Sequence, residues 1–274
     1  MENFRAIQPS MLLNPYIKQY WFLSVDNVAQ VSQRAIPAGS MGLVFNRGDR
    51  VYNSSAKKEM LPRSYISGQS TTYTNTYFGI LDLIIIVFQP IGARAFFDTP
   101  INELNEQMIP IDSFNDPLII ELEDHLMNTT DYQTCVYWIE QFLLKRIYEF
   151  EEYNYKRLSA VINSINYGES EISRLAQTAC LSYKQFKRIF VEYAGLNPKE
   201  FLQINRFAKA LHILQTQPSI SVNDLAYQCS YYDKSHLIKD FKTFSGYTPT
   251  EFLANCDPYS DYMSLFQSFF INTK

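Results

Sequence analysis

A segment of this chain occurs twice, and this repeat limits what the second half of the protein can fold into. Residues 175–202 and 225–253 align at an offset of 50 at their start and 51 from the middle onward. The best-matched pairs are Leu175 and Leu225, Phe190 and Phe241, Gly195 and Gly246, and Pro198 and Pro249. Two copies are too few for a solenoid. The repeat therefore predicts a duplicated small unit.

Each copy carries the start and stop signals of a helix. Ser182 and Gln185 have the spacing of a capping box, and Asp233 takes the equivalent N-cap position in the second copy. Gly195 and Gly246 stand where these helices should end, because glycine adopts the left-handed C-cap conformation at little cost. Each copy then continues with a cap residue and a proline that can begin another helix. The pattern predicts a short helix, a tight turn and a second helix per copy.

The spacing of apolar residues indicates which face of each second helix is buried. Phe186, Ile189, Phe190 and Tyr193 recur at steps of three and four, so they form one apolar stripe. The opposite face carries mainly cationic and hydroxyl side chains. In the first copy this face contains Lys184, Lys187, Arg188 and Val191, and in the second it contains Ser235, Ile238, Lys239 and Lys242. This arrangement is typical of helix-turn-helix units that read the DNA major groove. For a single helix, a solvated surface would be the simpler interpretation.

Charge is distributed unevenly along the chain, although the net charge is only −4. Residues 1–155 contain 11 Lys and Arg against 18 Asp and Glu, whereas residues 156–253 contain 12 against 8. A basic later part following an acidic first part indicates that only the later part meets a polyanion.

The two units resemble the AraC/XylS family of bacterial transcription regulators. The strongest similarity lies in residues 231–242 and 246–252, followed by residues 181–190 and 195–198, and the resemblance covers about 158–253. It implies seven helices, with DNA read by the second helix of each unit. The DNA-binding residues implied are Lys184, Lys187, Arg188, Lys234, Ser235, Ile238 and Lys239. Cys180 and Ser230 depart from the family, which often has glycine in these turns, and Lys234 stands where glutamine is common.

The first half of the chain reads as strands followed by helices. Residues 16–25, 42–47 and 79–88 are rich in β-branched and aromatic residues, and residues 67–76 read as a polar turn. Residues 91–98 predict one short helix, and residues 117–128 and 132–150 predict two longer ones. We therefore expect an α+β protein. Its predicted parts are a β-rich, barrel-like (cupin-like) sensor domain over 1–115, helices for dimerisation over 116–155, the DNA-binding domain over 156–253 with its two units joined by a long helix, and an aromatic tail over 254–274.

Residues that commonly carry chemistry are sparse and scattered. The four cysteines, at positions 135, 180, 229 and 256, show no CxxC spacing, and no histidine precedes His125. We therefore expect no catalytic site, no metal and no cofactor. A nucleophilic Cys135 paired with His125 is conceivable, but a helical cysteine is more often a core residue.

The expected partners are double-stranded DNA and an unknown small-molecule effector, with a homodimer and RNA polymerase as further expected partners. The most apolar run, residues 80–88, is about half as long as a membrane span, and the N-terminus has no secretory signal pattern. We therefore expect a cytoplasmic protein that does not contact a membrane. One alternative remains open, a module that binds a small molecule or a protein and whose helical units have lost operator recognition.

Overall fold

The computed structural model describes residues 2–25, 31–37, 39–53, 59–147 and 152–255. Among these residues, strands lie before residue 111 and α-helices begin at residue 117. The strands are β1 (Glu2–Ile7), β2 (Ile17–Val25), β3 (Val31–Ala35), β4 (Gly42–Asn46), β5 (Tyr52–Asn53), β6 (Ser64–Ser67), β7 (Thr74–Phe78), β8 (Leu81–Phe88) and β9 (Met108–Pro110). The helices are α1 (Pro117–Met127), α2 (Tyr132–Ile147), α3 (Glu152–Asn166), α4 (Ile172–Thr178), α5 (Tyr183–Ala194), α6 (Pro198–Thr216), α7 (Val222–Gln228), α8 (Lys234–Ser245) and α9 (Pro249–Asn255).

The larger sheet is antiparallel, with strand order β1-β2-β8-β4-β6-β9. Its register places Tyr20 of β2 and Leu43 of β4 on either side of Ile86 of β8. These three side chains are fully buried and share one core with residues of α1 and α2 such as Leu122 and Ile139. One face of the sheet is therefore covered by the two helices that follow it.

A smaller sheet, with strand order β3-β7-β5, packs against other residues of the large sheet. Phe78 of β7 forms a small apolar cluster with Leu23 of β2 and Leu81 of β8. The chain crosses from one sheet to the other at residues 79–80, where the amide of Ile80 donates to the carboxylate of Asp49 at 2.8 Å. Because β7 and β8 do not pair with each other, the two sheets of the described residues are not closed into a barrel.

The fold class predicted from the sequence is confirmed, because a β-rich first part precedes a helical second part. The expected barrel-like form of the first part is wrong, because its strands form two separate sheets in the described residues. Some local expectations differ from the structure. Residues 74–76, predicted as the end of a polar turn, belong to β7, and the predicted helix over 91–98 is a 3₁₀ turn at Gly92–Ala95. The predicted end of the second long helix near residue 150 and most of the aromatic tail lie outside the described residues.

The helical module contains the seven helices α3 to α9 within residues 152–255. Its central element is α6, which packs on α5 and α8, the second helices of the two units, here called the reading helices. The ring centroids of Phe190 in α5 and Phe201 in α6 are 5.4 Å apart, and those of Phe207 in α6 and Phe241 in α8 are 5.0 Å apart. Burial of these aromatic rings fixes how α5 and α8 are rotated about their own axes. None of the helices in the described ranges combines the length and the apolar character that crossing a membrane requires.

The N-terminal domain contacts the C-terminal ends of both reading helices. At the end of α5, Asn105 Nδ2 donates to the carbonyl of Gly195 at 2.6 Å. At the end of α8, Arg34 Nη1 donates to the carbonyl of Ser245 at 2.6 Å, and its guanidinium lies over the ring of Tyr73. A positive charge at a helix C-terminus is favourable because the helix dipole is negative there.

The glycines that end α5 and α8 have no room for a side chain. Both have positive φ, at 82° for Gly195 and 76° for Gly246. A Cβ at Gly195 would lie 2.7 Å from Asn105 Oδ1, and one at Gly246 would lie 2.8 Å from the ring of Tyr73. The duplicated glycines therefore serve both helix termination and contact between the domains.

The turns inside the two helix-turn-helix units contain non-glycine residues in the left-handed region. Cys180 has φ 52° and Ser230 has φ 55°. They are the two positions at which the sequence departs from the glycine that is common in the family. The conformation explains that preference, because a Cβ is disfavoured at positive φ.

We expect Cys180→Gly to stabilise the protein by about 0.5–1 kcal/mol. Relief of left-handed strain, roughly 1–2 kcal/mol, is partly offset by the greater freedom of glycine in the unfolded chain. Urea unfolding monitored by circular dichroism would measure the difference. Cys180→Ala is the matched control, since it removes the thiol and keeps the Cβ. Equal midpoints for the glycine and alanine variants would contradict the strain argument.

We also expect Arg34→Ala to weaken the attachment of α8 to the N-terminal domain. The change removes the donor to Ser245 and leaves a part-buried carbonyl without that partner, a loss of about 1–3 kcal/mol. The Gly246 amide, which donates to Lys242 at 3.0 Å, should then exchange its hydrogen faster. Arg50→Ala, at an exposed arginine of the same domain, is the control. Unchanged exchange at Gly246 would show that Arg34 does not hold the helix end.

Candidate nucleic-acid interface

The two reading helices begin with the caps that the sequence predicts. Ser182 and Gln185 form a complete capping box at the start of α5. At the start of α8, Asp233 accepts hydrogen bonds from the amides of Ser235 at 2.8 Å and His236 at 3.0 Å. The bonds from the His236 amide and ring hold the pKa of Asp233 below its ordinary value of 3.8. The carboxylate therefore remains ionised and caps the helix at neutral pH.

The structure turns the predicted reading residues outward. Six of them are exposed: Lys184, Lys187, Arg188, Lys234, Ser235 and Lys239. Ile238 is half-buried. The opposite faces are fully buried at Phe186 and Phe190 of α5 and at Leu237 and Phe241 of α8. The seven residues are thus placed where they can be reached from outside, and their contact with DNA remains a prediction.

The acidic residue of α8 faces the inside of the module. Asp240 is only 4% exposed and accepts a hydrogen bond from Gln203 Nε2 of α6 at 2.6 Å. Arg206 of α6 lies 3.9 Å from its other oxygen. Burial of Asp240 against α6 leaves three exposed lysines on the outer surface of α8, Lys234, Lys239 and Lys242, without a carboxylate of the same helix beside them. The outer surface therefore presents positive charge to a polyanion.

The reading face of α5 borders an open groove whose other wall belongs to the N-terminal domain. Lys184, Lys187 and Arg188 line one side, and Pro100, Asn102 and Glu103 line the other. Glu103 is exposed and lies in the 3₁₀ turn Ile101–Leu104. No local sequence pattern indicates this neighbour, because Glu103 and the cations of α5 are more than eighty positions apart and meet only where the domains pack together.

A cavity of about 170 Å³ lies between the two sheets of the N-terminal domain. Leu83, Ile85 and Val87 of β8 form part of its apolar lining, and Trp21 and Leu23 of β2 extend it. At about 24 cal/mol per Å³, leaving such a cavity dry and unfilled would forgo roughly 4 kcal/mol of packing stability. A space of this size is therefore a candidate ligand site. The sequence predicts an effector-binding domain but does not locate this cavity.

Residues 67–74, here called the wall segment, connect the cavity to the reading helices. Ser67, Gly68, Ser70, Thr72 and Thr74 line the cavity. Other residues of the same segment face the helical module: Gln69 approaches Gly195, and Tyr73 approaches Gly246. One short segment thus contacts the cavity and the ends of both α5 and α8.

Two family models match separate parts of the chain. Residues 175–255 match the family model of a helix-turn-helix domain, and residues 5–110 match a domain of unknown function, DUF6597. The crystal structure of ToxT from Vibrio cholerae O395 has a TM-score of 0.45 and 9% sequence identity, covering 92% of this chain and 97% of ToxT.

Two curated bacterial proteins are similar to parts of the chain. An uncharacterized HTH-type transcriptional regulator of Haemophilus influenzae is 27% identical over 157 residues, which are 57% of this chain and 52% of that protein. The uncharacterized HTH-type transcriptional regulator YidL of Escherichia coli is 30% identical over 102 residues, 37% of this chain and 34% of YidL. The match thus spans about half the length of the first relative and a third of the second. The duplicated units and the matched helix-turn-helix domain thus make the C-terminal part of the chain similar to AraC-type helix-turn-helix transcriptional regulators.

Proposed function

We propose that this protein binds specific double-stranded DNA sites through α5 and α8 and regulates transcription in response to a small molecule held by its N-terminal domain. The observation that carries the proposal is the repeated geometry of the two helices. Each buries its apolar face, with Phe190 of α5 and Phe241 of α8 packed on rings of α6, and each exposes lysine or arginine at its outer positions. Such groups reach guanine edges and phosphates in the major groove.

The length of α6 suits the reading of two adjacent groove segments. It contains 19 residues, which correspond to roughly 28 Å at about 1.5 Å per residue. Successive major-groove segments on one face of B-DNA are about 34 Å apart. A connector of this length supports the binding of one chain to two segments.

Coupling between effector and DNA would pass through the wall segment. A ligand in the cavity would contact Ser70 or Thr72, while their neighbours Gln69 and Tyr73 contact the ends of α5 and α8. A shift of this segment would change how the N-terminal domain holds both helices. The proposed response is therefore a change in the position of the reading helices relative to Glu103 and its groove.

Further parts of the proposal concern partners and location. The paired helices α1 and α2 expose Ile120 and Tyr137, and we place the contact of a homodimer there. RNA polymerase is the proposed partner during transcription.

Cys135, Cys180 and Cys229 are free thiols, in keeping with the reducing cytoplasm as the proposed location.

Binding to genomic DNA fragments separates the regulator from a helical module that has lost operator recognition. A gel-shift titration at several salt concentrations should show specific complexes whose affinity falls steeply as salt rises, because lysine and arginine displace counterions from phosphates. Absence of any preferred fragment would favour the alternative function, a module that binds a small molecule or a protein.

We expect Arg188→Ala and Lys239→Ala each to weaken binding to a specific site by about 1–3 kcal/mol if the side chains contact bases. Fluorescence anisotropy with the best genomic fragment would measure both. Lys145→Ala is the matched control, since Lys145 is an exposed cation on α2 outside the helical module. Wild-type affinity in both variants would show that neither Arg188 nor Lys239 contributes to DNA binding. This result would contradict an interface formed by α5 and α8.

We expect Glu103→Gln to strengthen DNA binding. The carboxylate lines the same groove as Lys187 and Arg188, so it repels phosphates that approach α5 and competes for these cations. Removing an exposed charge of this kind is worth roughly 0.2–1 kcal/mol, up to about fivefold in affinity. Glu121→Gln, at an exposed glutamate of α1, should leave the affinity unchanged. Equal affinity of Glu103→Gln and wild type would show that DNA does not approach this groove.

A further inference from the structure

We propose that the cavity between the two sheets binds an uncharged molecule of about the size of a single aromatic ring that carries a hydrogen-bonding group. The inference rests on the proposed function, because it names the class of effector that the N-terminal domain would take. It is carried by three properties of the cavity: the charge of its lining, its polar groups and its volume.

The described lining contains no aspartate or glutamate, no lysine or arginine and no histidine. Apolar side chains such as Leu83, Ile85 and Phe78 come from both sheets. Arg34 is the arginine nearest to the lining in sequence. Its guanidinium donates hydrogen bonds to the side chain of Asn75 and to the carbonyl of Ser245. A carboxylate or ammonium group entering this site would lose its hydration without gaining an opposite charge, and this penalty is large. The lining therefore selects against ions.

Hydroxyl groups supply the polar contacts of the site. Tyr65 and Ser67 come from β6 and Thr74 comes from β7, so both sheets contribute. Their side-chain oxygens form no hydrogen bond with another residue of the described ranges. Burial raises the pKa of Tyr65 to about 12, so its hydroxyl remains protonated at neutral pH. Each hydroxyl can donate one hydrogen bond and accept others, which suits an amide, alcohol or carbonyl.

The volume limits the size of the ligand. The cavity measures about 170 Å³. Engineered apolar cavities of about 150 Å³ bind benzene. One ring with a small polar substituent therefore fills the space, and larger molecules need the sheets to separate.

Intrinsic fluorescence gives a direct test on the full-length chain. The chain contains two tryptophans, and Trp21 lines the cavity whereas Trp138 stacks on His125. In the Trp138→Phe protein, the signal of Trp21 reports occupancy. Benzamide and benzoate are matched probes of nearly equal shape that differ in charge at neutral pH. We expect a saturable fluorescence change with benzamide, and at least tenfold weaker binding of benzoate.

Two variants locate the binding. Ala35→Leu adds bulk at a residue of the lining and should abolish the benzamide response, whereas Ala160→Leu makes the same change on the exposed face of α3 and should preserve it. Thr74→Val removes a hydroxyl with little change in volume and should weaken benzamide several-fold, which keeps the test valid if Ala35→Leu fails to fold.

Two outcomes would overturn the proposal. Benzoate binding as tightly as benzamide would mean that a cation reaches the cavity. Absence of saturable binding by benzamide and benzyl alcohol to the folded protein would mean that the cavity does not take ligands of this class. DNA binding by the same preparation, measured separately, distinguishes failure of the ligand class from failure of the proposed DNA-binding function.

Discussion

Burial of aromatic side chains against α6 determines which residues of α5 and α8 face outward. Phe201 and Phe207 lie on one helix and contact Phe190 of α5 and Phe241 of α8. Because every helix has a fixed angular spacing of residues, burying these rings forces Lys184, Arg188 and Lys239 to the outside. Each positively charged reading surface is thus a consequence of packing on α6, and Asp240 is removed from it by the same packing.

The N-terminal domain acts on the reading helices at their ends. Asn105 and Arg34 donate to the terminal carbonyls of α5 and α8, and the wall segment fits against the two cap glycines. Apolar packing adds to these polar contacts, because Ile101 and Leu104 of the N-terminal domain share one core with Phe190 of α5 and Phe201 of α6. The two domains are therefore joined by buried side chains as well as by hydrogen bonds at the helix ends.

The sequence predicted the helical module in detail because its signals are local. Capping residues, the cap glycines and the three-and-four spacing of apolar residues each act within one or two turns, and the duplication supplies an internal check. For the β-rich part, the sequence predicted the fold class but not how the strands pair. Strand β7 has a polar sequence, Thr74 to Thr76, that resembles a turn, and its strand conformation depends on pairing with β3, some forty residues away. The groove at Glu103 and the cavity both arise from contacts between distant segments, which no local pattern encodes.

Footprinting of the major groove measures the proposed use of both helices most directly. Methylation protection of guanine N7 on a specific fragment should show two protected patches about ten base pairs apart on one face of the duplex. Arg188→Ala should weaken one patch and Lys239→Ala the other. Protection of a single patch, or the same loss at both patches from either variant, would contradict the reading of DNA by two separately placed helices.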